Sequence, residues 1–85
     1  MEKDITVRDY FLNLRSTTEV RQKKQAYSRI LRVLSVTSVG AYIGSKPMVE
    51  LCKSSGEELV KLPGVSKTAR EVVIDECRNY AAITG

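Results

Sequence analysis

Apolar residues recur along this chain at helical spacing. Tyr10, Phe11 and Leu14 form a first stripe. Val20, Tyr27, Ile30, Leu31 and Leu34 form a second, and Val65, Ala69, Val72, Val73, Cys77 and Tyr80 a last one. Recurrence every three to four residues places each set on one face of an α-helix. Start and stop signals divide the chain to match. Thr6 is an N-cap candidate with Asp9 three residues on, so a first helix is expected from Val7 to about Leu14. Ser16-Thr17-Thr18 breaks it and caps a second, about Glu19 to Ser35. There Arg21, Gln25, Arg29 and Arg32 lie opposite the apolar stripe, and Lys23 and Lys24 flank it as snorkelling side chains. Pro47 opens a short helix through Lys53. Ser55-Gly56-Glu57-Glu58 reads as a capping box for a helix from Gly56 to Leu62. Ser66 caps a final helix to about Ala81, and the tail Ile83-Thr84-Gly85 is expected to fray.

The stretch from Val36 to Ser45 is open to two readings. Val36, Val39, Tyr42 and Ile43 are β-branched or aromatic and suit a strand. Spacing 36, 39, 43 and the lack of a partner strand favour a short helix ended by Gly44 as C-cap. The expected fold is therefore all-α, a compact bundle of about five or six short helices in one domain, 1–85. Its parts are an N-terminal helix within 1–16, free to pack or to move, a longer basic helix within 17–35, and a helical core over 47–81.

Charge changes this picture because it is unevenly spread. Residues 1–35 hold eight Lys/Arg against four Asp/Glu, and residues 36–85 hold six of each, so the whole +4 excess lies in the N-terminal part. From Arg15 to Arg32 six basic residues face Glu19 alone. Such clustering is the footprint of a phosphate-facing surface, and equally of a solvated helix face.

Other chemistry is sparse. At 85 residues, folding hides only about 60–65% of the unfolded surface, which leaves no room for a separate catalytic domain. Histidine is absent, which removes the commonest general base and zinc ligand. Asp75 and Glu76 are adjacent and point to different sides of a helix, so they cannot serve one substrate as an acid/base pair. Cys52 and Cys77 read as buried reduced thiols. Tyr10, Tyr27, Tyr42 and Tyr80 lack an Arg/His constellation and read as packed rings, with base stacking on an exposed Tyr42 as the alternative. No enzyme, cofactor or metal is expected. No run of about 18 apolar residues is present, and Met1-Glu2-Lys3-Asp4 does not lead into a signal core, so a cytoplasmic protein without membrane contact is expected.

The sharpest motif is Leu62-Pro63-Gly64-Val65 followed by Ser66-Lys67-Thr68-Ala69-Arg70. Pro63 stiffens a turn, and Gly64 lets the backbone bend and approach a ligand without a Cβ. Ser66, Lys67 and Thr68 open a helix, so their N–H groups lack intrahelical acceptors and the positive end of the helix dipole adds to them. Lys61, Lys67 and Arg70 supply charge, and Leu62 and Val65 pin the flanking helices. A bare Pro-Gly turn between two helices would look similar.

Residues 57–77 resemble a helix-hairpin-helix, the DNA-binding device of the Holliday-junction branch-migration subunit. Glu50 to Val73 is similar, without gaps, to the C-terminal domain of the RNA polymerase alpha subunit. A third resemblance, over roughly residues 20–80, is to actinobacterial integration host factor. It rests on Val33-Leu34 to Gly44, on Leu51 and on Leu62 to Ala69, with an extra segment of about seven residues around Cys52 to Glu58. Ser66 stands where the family hairpin has a second glycine, and only Arg78 stands where those proteins carry an Arg-rich C-terminal segment. The resemblance implies a small non-enzymatic DNA-binding protein of the nucleoid or a recombination accessory factor. It would hold backbone phosphates of duplex, bent or branched DNA with weak sequence specificity. Gly64, Val65, Ser66, Lys67 and Thr68 would hold one strand, and Arg21, Arg29 and Arg32, with Lys46 or Lys61, the neighbouring phosphates. The alternative is a docking module, phage or host, for a protein partner in transcription, replication or recombination. Glu50, Glu57, Glu58, Glu71, Asp75 and Glu76 would then form an acidic docking surface.

Overall fold

Hydroxyl caps start three of the helices. Thr6 Oγ1 accepts from the Asp9 amide at 3.2 Å, Thr37 Oγ1 from Gly40 at 2.8 Å and Ser66 Oγ from Ala69 at 3.2 Å, each satisfying one of the amides that a helix start leaves without a partner. A computed structural model describes residues 5–54 and 56–84, with the side chains of 83 and 84 excepted. Six helices follow one another: α1 Val7–Thr17, α2 Arg21–Val36, α3 Ser38–Ser45, α4 Met48–Lys53, α5 Glu57–Val60 and α6 Lys67–Thr84. Among the described residues the only strand-like pairing is an isolated antiparallel bridge between Thr6 and Pro47. The fold is an all-α bundle of short helices.

Several boundaries differ from those expected. Ser16 and Thr17 belong to α1, and α2 starts at Arg21 with Val20 as an N-cap that offers no side-chain bond. Val20 itself is half-exposed, and Ala26 and Val33 take its place in the buried stripe. Gly44 is not a C-cap: it lies inside α3, buried where the helix passes Leu34 of α2, and Lys46 stands at the C-cap. Val36 and Val39 point to solvent, so only Ile43 of that expected stripe enters the core. Pro47 is the N-cap of α4 rather than its first helical residue. The helix before the Pro-Gly turn has four residues, with Gly56 at its N-cap and no side-chain cap bond. Ser55, half of the expected capping box, lies outside the described residues; Glu58, the other half, binds Lys46 Nζ at 3.0 Å instead. α6 runs on through Ile83 and Thr84, and Gly85 lies outside the described residues.

α2 is the central helix and packs against α1, α3 and α6. Phe11, Ile30, Leu34, Met48, Leu51, Leu59, Val7 and Val73 are its fully buried neighbours and members. Burial of such side chains is the main stabilising term, on the order of 1.5–3 kcal/mol each. The first helix is part of this core, with Val7 and Phe11 fully hidden. Backbone bonds tie its start to the α3–α4 junction: the Val7 amide donates to Lys46 at 2.9 Å, and the Met48 amide to Ile5 at 2.7 Å.

One polar contact joins three helices. Glu76 of α6 accepts from the Tyr10 hydroxyl of α1 at 3.0 Å and from the Tyr27 hydroxyl of α2 at 3.3 Å. Tyr10 also meets Phe11 and Tyr80 edge-on, with centroids 5.6 and 5.4 Å apart. Burial and the facing carboxylate push the Tyr27 phenol up to about 12 and raise Tyr10 as well. Cys52 and Cys77 are free thiols; Cys77 is buried as expected, and Cys52 is only half-buried. Burial, together with the neighbouring Cys52, pushes the Cys77 thiol up to about 12, which leaves it un-ionised and unreactive at neutral pH.

Candidate nucleic-acid interface

The outer face of α2 repeats Arg21, Lys24, Gln25, Ser28, Arg29 and Arg32 at helical spacing, and the stripe runs about 17 Å at a 1.5 Å rise per residue. Beside it sits the turn between α5 and α6. Gly64 there has φ 92°, a backbone region that residues with a Cβ rarely enter. A Cβ at Gly64 would stand 3.6 Å from Val33 Cγ2, which is ordinary contact, so the turn rests on α2 and the requirement for glycine is conformational. The Pro63–Gly64 turn and the basic face of α2 thereby become opposite sides of one open groove of about 1050 Å³. Arg15, from the last turn of α1, closes one side, and Val33, Val36 and Thr37 complete the lining.

The charge in this groove is of one sign. Arg15, Arg21, Lys24, Arg29 and Arg32 line it, and no acidic residue does. None of these five cations has an ion-pair partner among the described residues. A second, smaller depression of about 310 Å³ shares Arg15, Ser28 and Arg32 and adds Arg8. The positive surface therefore continues over the edge of α2 onto α1. Cations without an ion-pair partner among the described residues are available to a solute anion.

The expected site residues divide into two groups. Arg21, Arg29, Arg32 and Gly64 come together in the groove. Lys46 does not: its ammonium is bound to Glu58, whose hydrogen bond raises its pKa, and it lies 4.9 Å from the Tyr42 ring centroid. Lys61 is turned back onto Glu57 at 3.2 Å along α5. Val65, Ser66, Lys67, Thr68 and Arg70 follow the turn but stand outside the groove lining. Val65 is half-buried, and the Ser66 hydroxyl is committed to capping. The amides of Ser66, Lys67 and Thr68 have no acceptor among the described residues, while Arg70 donates to Ser66. Lys67, Thr68 and Arg70 are exposed.

Two groove residues were not singled out in the sequence. Lys24 was expected to flank the apolar stripe and instead faces the groove. Arg15 belongs to the noted charge cluster, but its place depends on how α1 crosses α2, which no local pattern reveals. Tyr42, expected to pack, stays 63% exposed. Among the described residues no group of acidic, histidine or cysteine side chains could hold a metal ion, and no helix is long and apolar enough to cross a membrane.

Comparison with protein-family models, with curated proteins and with solved structures finds no match for this chain. The functional reading therefore stands on the groove.

Proposed function

We propose that this protein is a non-enzymatic DNA-binding protein that grips backbone phosphates in the groove between α2 and the Pro63–Gly64 turn. The observation that carries the proposal is the meeting of that turn with five cations that have no ion-pair partner among the described residues, and no acidic residue in the groove lining. Arg21, Lys24, Arg29 and Arg32 would follow one strand along α2. The open amides from Ser66 to Thr68 and the exposed Lys67 and Arg70 would take a phosphate just beyond the turn. Contacts of this kind position a duplex and carry little sequence information. The resemblance to actinobacterial integration host factor suggests the setting, nucleoid architecture or an accessory role in recombination. A net charge of +4 points to moderate affinity and strong salt dependence.

Fluorescence anisotropy of a labelled mixed-sequence duplex, titrated at several salt concentrations, tests the proposal. Log affinity should fall linearly with log salt, with a slope of about −0.9 for each phosphate neutralised and a total equivalent to three to five phosphates. Lack of binding at low salt would remove DNA from the account and leave the protein-docking alternative, where a pull-down of the partner is the next step.

A further inference from the structure

We infer that α2 lies in the major groove of the bound duplex, and that the depression between α1 and α2 holds phosphates of the second strand. The inference rests on the phosphate-groove reading and adds to it a second strand and a choice of groove.

The phosphate groove lies on one flank of α2, and the smaller depression of about 310 Å³ lies on the other. Leu31 lines the smaller one and Val33 the larger. Successive helix residues are about 100° apart, so Arg32, between them, stands on a crest that separates the two. Ser28 and Arg32 on this crest, with Arg15 of α1, border both depressions. The smaller depression follows the seam of two helices. Arg8, Leu12 and Arg15 recur at i, i+4 and i+7 on α1, and Ser28, Arg32 and Ser35 at the same spacing on α2. Its chemistry repeats that of the groove. Arg8, Arg15 and Arg32 line it and no acidic residue does. Arg8, like the other two, has no ion-pair partner among the described residues. The Ser35 hydroxyl is spent on the Leu31 carbonyl at 3.0 Å, so anion binding falls chiefly to the guanidinium groups.

Cationic channels on both flanks of one helix set a spacing. A helix with its side chains is about 10–12 Å across. The minor groove of B-DNA, about 6 Å wide, cannot admit it, and the major groove, about 12 Å wide, can. A helix seated there has a phosphate strand on each flank, which is the arrangement of the two depressions. Gln25 supports the same placement. It is the one long uncharged polar side chain in the groove lining and has no charge to offer a phosphate. In a major groove its amide matches the N6 and N7 edge of adenine.

Dimethyl sulfate footprinting of a mixed-sequence duplex at saturating protein reads the groove, because the reagent methylates guanine N7 in the major groove and adenine N3 in the minor. Guanine N7 should be protected and adenine N3 left open. Salt titration of Arg8→Ala, with a thermal melt confirming that it folds, reads the second strand. Arg8 is exposed and lines only the smaller depression, so its loss should take about 0.9, one phosphate, from the log–log slope. Arg78→Ala, which removes the same charge outside both linings, should keep the parent's slope. Protection of adenine N3 with guanine N7 open overturns the inference, and so does protection of neither. An unchanged slope in Arg8→Ala, or an equal loss in Arg78→Ala, also overturns it. In each of these cases the phosphate-groove reading still stands if Arg29→Ala with Arg32→Ala weakens binding. A parent that binds no duplex at low salt overturns both.

Discussion

Gly40 shows how one residue sets a helix crossing. A Cβ built there overlaps the carbonyl oxygen of Val33 and comes within 3.1 Å of Leu34 Cα, both backbone atoms of α2 that cannot swing aside. Alanine would gain up to about 1 kcal/mol in helix propensity, but forcing the backbones apart costs more, about 1–3 kcal/mol for an overpacked site. Gly40→Ala should therefore lower the urea midpoint with little change in the slope. An unchanged or higher midpoint would mean that α2 and α3 are not held this closely. Gly40 was invisible as a packing residue in the sequence, because its importance lies in the atoms opposite it, seven positions back along the chain. Gly64 was visible, because a Pro-Gly pair between two helical patterns already signals a turn.

At the scale of elements, the helices that carry strong apolar periodicity were readable from the chain, and their ends were not. α1, α2 and α6 each show a buried stripe close to the expected one. The Ser-Thr-Thr cap failed because two of its three residues still had helical neighbours to bond, and the Ser55–Glu58 box lost its glutamate to Lys46 across the fold. Cross-helix partners of this kind leave no local signal. The groove was half readable: the α2 cations announced themselves, while Arg15 and the seating of the turn on Val33 are tertiary facts. This ranks the cations. Arg29→Ala with Arg32→Ala, both inside the groove, should weaken duplex binding more than Lys67→Ala with Arg70→Ala, both outside its lining, and should flatten the salt slope by up to about two phosphate equivalents. Titrations at matched salt settle the order. The tyrosine–glutamate contact joining α1, α2 and α6 makes a prediction of its own. A phenol with a pKa near 10 when unfolded and about 12 when folded, as for Tyr27, adds stability that is fully present below pH 10. That stability is lost as pH rises from 10 to 12, because the unfolded chain releases its proton first. Melting temperature should fall across that window, and Tyr27→Phe should shallow the fall.

The whole molecule is a flattened body of 33 × 30 × 18 Å, with the basic groove on one side of α2 and the core on the other. Helical composition was predictable from short amphipathic segments. How the segments close on themselves was not, and the least predictable closure is the pair of backbone bonds between residues 5–7 and 46–48. Those bonds join chain positions about forty residues apart, so neither can form until α2 and α3 are in place, and loop-closure entropy makes them late. Opening them takes apart the whole arrangement rather than one end. The Val7 and Met48 amides should therefore exchange with deuterium at a common rate close to that of global unfolding. The segment from Ile5 to Val7, in other words, is the clasp that reports whether the rest has folded.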